Sequence, residues 1–544
     1  MNVDHDPHLV DLRAAPRHSL AEGRRLGLDQ NFSTVDWLIV AAYLVATVGV
    51  GVYVNRYIGG ISDYLVAGRS LRSSLGIATM VGSELGLVTV MYAAQSGLTG
   101  GFSAMHIGLV ACVAMLVIGL TGFIVVPLRE LGVMTIPEFY GLRFGPNVRV
   151  LGALVLALAG ILNMGMFLKA GALFVTALTG LDDPQAVNWV MTALLIMVLI
   201  YTTFGGMVSV VITDYLQFVL LSLGMLLTCG LSLRYVGWSQ MVSTVELVHG
   251  EPGVDPLHGD GFGTSYIVWM LFSAGICSGA VWPTAVIRAC SADSAATVRR
   301  LYAFSSIGFL IRFLMPQFLG ICALAYFWHH PAAHDQFFTA EGQLIDDSTL
   351  QLQAMPTFLS QILPVGVLGI VGAAMLAAFM STHDSYLLCW ASVLAYDVAA
   401  PVSGGRLSEH GCLTLTRVGI VVIGGFLLVW GLWYPLGQNL WDYMAVTGAI
   451  YFTGAFAILV GGIYWKRASR TGAMLALLSG AGALVGLKPV QEYLGTDIRS
   501  ELVGLGTVGL AIVSMILGSL LRPDDSYSRF RDNLAAPPEE SNRI

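Results

Sequence analysis

The stretch VRVLGALVLALAGILNMGMFLKAGALFVTAL, residues 148–178, carries a charge only at Arg149 and Lys169. An α-helix of about 20 apolar residues crosses the hydrocarbon core of a bilayer, so this stretch is long enough to span a membrane. Apolar runs of similar length recur on both sides of it. They predict thirteen transmembrane helices, at 36–57, 73–98, 102–127, 148–178, 185–204, 207–231, 265–288, 298–328, 362–396, 413–434, 439–464, 471–488 and 501–521.

The composition favours an all-α polytopic membrane protein with a single folded domain. Hydrophobic residues make up 56% of the 544 residues and charged residues 11%, whereas a soluble domain carries about 25% charged residues. The chain divides into a polar N-terminal tail at 1–35, a transmembrane domain at 36–521 and a C-terminal tail at 522–544. Its seven cysteines show neither disulfide nor metal spacing. No nucleophile–base pair points to an enzyme.

Lysine and arginine residues are distributed unequally between the two sides of this arrangement. The connections at 179–184 and 329–361 contain none of the 27, and the opposite side carries most of them. Cytoplasmic loops of membrane proteins hold an excess of Lys and Arg. We therefore predict a multi-pass protein of the cell membrane, with the N-terminus outside and the C-terminus cytoplasmic. The expected membrane is a bacterial inner membrane.

Ionisable side chains inside the spans are few, and burying them in a membrane is costly. They are Glu84, Lys169, Asp214, Arg312, His383 and Asp384, with Asp442 near the end of a span. Each is a candidate for binding a solute or an ion. The alternative, which the sequence leaves open, is that some of them pair with each other and only stabilise the helix bundle.

The segment AAFMSTHDSYLL, residues 377–388, places hydroxyl groups on one helical face. Ala378, Ser381, Thr382 and Ser385 follow the i, i+3, i+4, i+7 spacing of such a face. Two adjacent hydroxyls beside a free carbonyl suit a small hard cation. Hydroxyls in transmembrane helices also bond their own i−4 carbonyl, and this second interpretation stays open.

Two spans contain glycines and a proline that would interrupt a helix. Gly82 and Gly86 lie in the span at 73–98, and Gly275, Gly279 and Pro283 lie in that at 265–288. A break at mid-membrane depth frees backbone groups, which is tolerated where they line a cavity. Interrupted helices at corresponding positions of two halves point to the binding site of a transporter. Close helix packing is the alternative for either span alone.

Several motifs, read in chain order, resemble those of the sodium:solute symporter family. YTTFGGMVSVVITDYLQ (201–217) is similar to the family signature, and AAFMSTHDSYLL is similar to its Met-Ser-Thr helix. The other similar segments are SDYLVAGRSL (62–71), TIPEFYGLRFGPNVR (135–149), WPTAVIRACSADS (282–294) and YWKRASRTGA (464–473). The resemblance covers roughly 36–475.

The resemblance implies two inverted five-helix repeats, as in bacterial leucine transporters, at about 73–231 and 265–464. One helix would precede this core and two would follow it. The implied function is secondary active transport, in which inward sodium flow drives uptake of a small polar organic solute by alternating access. The implied sodium ligands are Gly82, Leu85, Ala378, Ser381 and Thr382, and a second sodium, found in some members, would use Asp214, Asp384 and Ser385.

The same resemblance gives the residues expected to contact the solute, which are Glu84, Gly86, Lys169, Gly279 and Trp282. Trp282 stands where proline symporters have glutamine, and Gly279 replaces an aromatic residue of their pocket, which argues against proline as the substrate. The opposite charges of Glu84 and Lys169 favour a zwitterion or a small carboxylate.

Two other functions remain open at this stage. A proton could be the coupling ion, loaded on Glu84 or Asp384, or the chain could be a solute sensor that acts with a separate signalling partner. In either case we expect no organic cofactor and no nucleic-acid partner. A single chain in contact with membrane lipid would be sufficient for transport.

Overall fold

The computed structural model describes residues 32–54, 69–181, 183, 185–257, 263–404, 406–434 and 438–535. Residues 1–31 of the tail predicted at 1–35, the motif residues 62–68 and residues 536–544 of the C-terminal tail lie outside them. The described α-helices are Thr34–Val54, Ser73–Glu84, Leu87–Gly100, His106–Thr121, Val125–Glu130, Ile136–Phe144, Pro146–Asn163, Phe167–Thr179, Ala186–Val236, Trp238–His249, Thr264–Trp269, Ser278–Val281, Pro283–Ser291, Ala295–His329, Pro331–Phe337, Ser348–Ile362, Val367–Val393, Ala400–Val402, Glu409–Trp433, Leu440–Tyr464, Arg470–Ser479, Lys488–Leu494, Ser500–Leu521 and Ser526–Ala535. Short segments of 3₁₀ or π helix connect several of them.

The all-helical membrane class is confirmed. Among the described residues, nine helices are long and apolar enough to cross a membrane, or ten if the bent pair Arg470–Gly486 and Lys488–Leu494 forms one span. Shorter apolar helices lie at Thr34–Thr47 and Ala186–Ile200. One continuous run, Leu87–Thr121, covers parts of two predicted spans. The number thirteen therefore stays a prediction.

The first interrupted helix consists of Ser73–Glu84 and Leu87–Gly100, joined by Leu85 and Gly86. Leu85 leaves the helical conformation (φ −86°, ψ 54°), and Gly86 is extended (φ −74°, ψ 160°). A Cβ atom at Gly86 would lie 2.0 Å from Oγ1 of Thr382, closer than any real contact. Glycine at this position therefore lets the break approach the neighbouring helix.

The second interrupted helix begins at Thr264, passes through a π-helical segment at Met270–Cys277 and ends its first half at Val281. Trp282 is extended (ψ 122°), and Pro283 starts the second half. Proline has no backbone N–H and disfavours the α conformation of the residue before it. Pro283 therefore accounts for the break at Trp282.

The ends of the two interrupted helices are tied together. The N–H of Leu71 donates to the carbonyl of Ser291 (3.1 Å), and the N–H of Asp293 donates to the carbonyl of Leu71 (3.1 Å). The entrance to the first interrupted helix is thereby fixed to the exit of the second.

The core of the molecule lies around the helix Val367–Val393, which we call the Ser-Thr helix. All its residues from 371 to 393 are buried. It packs against both halves of the first interrupted helix and against Ala186–Val236. This position explains why its polar side chains lie among other helices and not toward lipid.

Candidate ion and solute site

The break at Leu85–Gly86 and the Ser-Thr helix meet at Thr382. The Thr382 hydroxyl lies 3.0 Å from the carbonyl of Ala378 and 3.3 Å from that of Ser83, both within donating distance. The bond to Ala378 is the i−4 bond that was the second interpretation of the sequence. The contact with Ser83 joins the Ser-Thr helix to the neighbouring helix. The structure thus brings three of the expected sodium residues, Leu85, Ala378 and Thr382, to the contact between these two elements. A fourth, Ser381, bonds to Asp214.

Asp214 lies beside these groups. It is fully buried and accepts hydrogen bonds from the hydroxyls of Ser381 and Thr79. Gly82 packs against the backbone of Asp214. A Cβ atom added to Gly82 would lie 3.1 Å from the carbonyl oxygen of Asp214, which is its nearest neighbour. The fifth expected residue, Gly82, therefore faces the Asp214 backbone in the same region.

Arg288 is the cation of this cluster. Its Nη2 donates to Oδ2 of Asp214 (2.9 Å) and to Oγ of Ser385 (3.0 Å), and its Nε donates to Oγ1 of Thr79 (3.1 Å). The Arg288 side chain is 1% exposed and that of Asp214 is not exposed. A charge pair buried to this degree requires good geometry and further hydrogen bonds to offset its desolvation, and both are present.

The residues expected to hold a second sodium ion are thus partly engaged by a guanidinium. Asp214 and Ser385 both accept from Arg288, while Asp384 is buried on the same Ser-Thr helix. Arg288 is the last residue of the span predicted at 265–288 and was not among the candidate residues. The structure places its charge inside the helix bundle, where the side chain is 1% exposed.

A cavity of about 120 Å³ adjoins the break. Three of the expected solute residues, Glu84, Gly279 and Trp282, line it, whereas Gly86 contacts Thr382. Oε2 of Glu84 accepts from Nη1 of Arg312 at 2.7 Å, and Oε1 accepts from the hydroxyl of Thr284 at 3.2 Å. The ionic partner of Glu84 is therefore Arg312.

The structure does not bring Lys169 to this cavity. Its Nζ donates to the backbone carbonyl of Tyr434 at 3.1 Å, and Lys169 is not among the residues that line the cavity. The long flexible side chain of a lysine can carry its charge away from its helix to the nearest free carbonyl. The expected opposition of Glu84 and Lys169 is consequently replaced by that of Glu84 and Arg312.

His383 is a packing residue in this structure. Its Nδ1 lies 2.8 Å from the carbonyl of Phe379, one turn earlier. The imidazole packs on the rings of Phe379 and Phe167, with centroid distances of 3.9 and 5.6 Å. It points to a different side of the Ser-Thr helix from the hydroxyls of Ser381 and Thr382, which bond to Asp214 and Ser83.

Two aromatic contacts bound the cavity. Nε1 of Trp282 donates to the hydroxyl of Tyr386 at 2.9 Å, and beyond this pair lies a small space of about 20 Å³ lined by Arg288 and Ser385. On another side the ring of Trp441 lines both the cavity and a polar vestibule of about 410 Å³. The Trp441 and Tyr92 ring centroids are 4.8 Å apart.

Sequence reasoning did not select Thr79, Ser83, Thr284 or Trp441 for this site. Charge complementarity could have suggested the Asp214–Arg288 pair, because both are single charges within apolar segments. The hydroxyl and carbonyl contributions carry no comparable signal in one sequence.

The family model described as "Sodium:solute symporter family" matches residues 64–480. The "Sodium/glucose cotransporter" of Vibrio parahaemolyticus is 23% identical over 477 residues, covering 83% of this chain and 84% of that protein. The "High-affinity choline transporter 1" of Drosophila melanogaster is 25% identical over 544 residues, covering 94% and 83% respectively.

Among solved structures, a Na⁺-coupled sialic acid symporter in a substrate-bound outward-open state has the same fold. The TM-score is 0.75 at 19% sequence identity, with 91% of this chain and 100% of that chain covered. The family model spans both interrupted helices and the Ser-Thr helix. The chain therefore belongs to the sodium:solute symporter family, whose members are transporters and not enzymes, with Na⁺ as the coupling ion.

Proposed function

We propose that this chain couples the inward flow of Na⁺ to the uptake of a small polar organic solute by alternating access. The observation that carries this proposal is the meeting of the broken helix with the Ser-Thr helix. The hydroxyl of Thr382 lies 3.3 Å from the carbonyl of Ser83, just before the break, and the hydroxyl of Ser381 bonds to Asp214 beside it. These are hard oxygen ligands of the kind that Na⁺ requires.

The sodium ion would be held by the carbonyls of Gly82, Leu85 and Ala378 and by the hydroxyls of Ser381 and Thr382. The inward step is favourable, because one charge crossing 100 mV contributes about 2.3 kcal/mol before the concentration gradient is counted. Placing the ion next to Thr382 also places it next to Glu84, which lines the solute cavity. This proximity supports coupling between the ion and the solute.

Alternating access is supported by the unequal spaces on the two sides of the cavity. A vestibule of about 410 Å³ lies beyond Trp441, and a space of only about 20 Å³ lies beyond Trp282 and Tyr386. The wider side would face the outside if the N-terminus is outside and the C-terminus cytoplasmic, as the positive-inside rule predicts. We further propose that one chain, in a bacterial inner membrane, is sufficient for transport.

The function is tested with the purified full-length chain in proteoliposomes. Uptake of a panel of radiolabelled solutes is measured with an inward Na⁺ gradient, with K⁺ in place of Na⁺, and with a pH gradient alone. We expect at least one solute to accumulate only with Na⁺. Accumulation driven equally well by the pH gradient alone would instead establish proton coupling, for which Glu84 and Asp384 are the candidate carriers.

Removing either hydroxyl ligand should weaken sodium binding. We expect Ser381→Ala and Thr382→Ala each to raise the Na⁺ concentration for half-maximal thermal stabilisation by about tenfold, as for loss of one interaction with a charged group. Thr416→Ala is the matched control, because Thr416 is a buried threonine that donates to its own i−4 carbonyl at 2.9 Å. If Ser381→Ala and Thr382→Ala respond to Na⁺ as the control does, the sodium site lies elsewhere.

A further inference from the structure

The Glu84–Arg312 pair lies in the wall of the solute cavity, on two different elements. Glu84 is the last residue before the break, and Arg312 lies near the middle of the long helix Ala295–His329. Both side chains line the cavity and retain some exposure to it, 12% for Glu84 and 11% for Arg312. Both charges therefore face the space in which a solute would bind.

The contact between these two side chains leaves part of the guanidinium unused. Only Nη1 of Arg312 donates to Glu84, at 2.7 Å to Oε2 and 3.3 Å to the backbone carbonyl. Nε of Arg312 is buried and has no hydrogen-bond partner among the described residues. Arginine prefers a two-pronged contact with a carboxylate, which satisfies a whole edge of the guanidinium. The Nε side of the Arg312 guanidinium therefore still lacks an acceptor within the described part of the chain.

Aromatic rings hold the guanidinium in place. The Arg312 Cζ lies 4.3 Å from the ring centroid of Phe309 and 4.8 Å from that of Phe313. Stacking of this kind fixes the plane of the guanidinium and lowers the entropy lost when it binds an anion. Arg312 is consequently oriented before any solute arrives.

The remaining walls include the rings of Tyr92, Phe167, Trp269, Trp282 and Phe452. The polar side chains that also line the cavity are Ser83, Thr89, Asn163, Ser278 and Thr382. Aromatic faces attract ammonium groups, whereas the many hydroxyls of a sugar would need polar partners around their whole circumference. The volume of about 120 Å³ is close to the roughly 150 Å³ of a cavity that holds benzene. The cavity therefore suits a small solute, and its rings suit one that carries an ammonium group.

We propose that the solute is a small zwitterion whose carboxylate binds the free edge of Arg312 and whose ammonium group binds near Glu84 and the aromatic walls. The two wall charges cancel, so a solute with one charge of each sign leaves the buried cavity neutral. A solute with a single charge would leave one excess charge in a region where burying it is costly. This inference rests on the proposed function, because it names the substrate class of the same site.

The test uses the purified full-length chain in proteoliposomes with an inward Na⁺ gradient. The zwitterionic probes are L-alanine, L-leucine, L-phenylalanine and glycine betaine. Each amino acid is compared with its amide, which lacks the carboxylate, and with its deaminated acid, which lacks the amine. D-glucose, myo-inositol and choline represent the other solute classes. We expect sodium-driven uptake of a zwitterion, and competition by neither its amide nor its deaminated acid at tenfold excess.

Arg312→Gln should raise the half-saturating concentration of that zwitterion by about tenfold to a hundredfold, as for loss of a charge-assisted hydrogen bond. The Na⁺ concentration for half-maximal thermal stabilisation should change less than twofold. Arg312→Lys keeps the charge without the planar fork and should give an intermediate value. Arg149→Gln is the control. Arg149 pairs with Asp397 at a distance of 2.8 Å, and neither residue lines the cavity.

Sodium-driven uptake of glucose, inositol or choline, with no uptake of any zwitterion, would overturn this inference and leave the proposed function standing. Equal competition by the amide would also overturn it, because the carboxylate would then contribute nothing. If no solute in the whole panel responds to Na⁺, both the inference and the proposed function fail. Should Arg312→Gln not fold, the competition experiment on the unmodified chain still decides.

Discussion

Arg288→Gln is expected to abolish sodium-driven uptake and to lower the free energy of unfolding by about 3–5 kcal/mol, the usual cost of removing one partner from a buried ion pair. The substitution leaves the carboxylate of Asp214 without its guanidinium, in a place where neither side chain is more than 1% exposed. Ser381 and Thr79 would still donate to Asp214, but two hydroxyls do not neutralise a buried charge.

The double variant Arg288→Gln/Asp214→Asn separates stability from transport. Removing both charges should restore most of the unfolding free energy, measured by denaturant unfolding in detergent, whereas transport should remain lost. Arg149→Gln serves as the control, since it leaves another buried carboxylate, that of Asp397, without its arginine, and does not touch Ser381. A stable Arg288→Gln variant that still accumulates solute would show that this pair is dispensable.

The same cluster bears on the number of sodium ions. Because Arg288 already places a positive charge on Asp214 and Ser385, we propose that the guanidinium takes the place of a second sodium ion at Asp214, Asp384 and Ser385. Reversal potentials of the unmodified chain in proteoliposomes should then correspond to one sodium per solute. A ratio of two would mean that Arg288 leaves Asp214 during the cycle.

More of the fold than of the candidate site could be predicted from the sequence. Apolar runs longer than a bilayer requires identify membrane helices, and glycine and proline mark both interruptions, because those signals are local in the sequence. The hydroxyl face at Ser381 and Thr382 is also local, since it depends on the spacing along one helix.

The partners of these side chains are not local. Asp214 and Arg288 are 74 residues apart, and Glu84 and Arg312 are 228 residues apart. Helical periodicity tells which residues share a face but not which helix that face meets. Lys169 illustrates the same limit, because its span was expected to reach the cavity while its flexible side chain bonds to a carbonyl at Tyr434.

Trp441 separates the solute cavity from the polar vestibule, and its position makes it the residue expected to close that side. Its ring lies 4.8 Å from that of Tyr92, 5.9 Å from Phe313 and 6.2 Å from Trp269, measured between centroids. The alternating access proposed above requires that the cavity never be open to both sides at once. Under that proposal, a residue in this place must seal the cavity while the opposite side opens.

Trp441→Ala should therefore reduce concentrative uptake to near background, since solute and Na⁺ would leak back through the gap left by the indole. Sodium-dependent thermal stabilisation should persist, because Ser381 and Thr382 are untouched. Trp441→Phe should retain most of the uptake through its remaining ring. Trp433→Ala is the matched control, because that tryptophan is 86% exposed on the bundle surface. If Trp441→Ala accumulates solute to the same concentration ratio as Trp433→Ala does, the seal must be formed by other residues. The ring of Trp441 would then only line the passage.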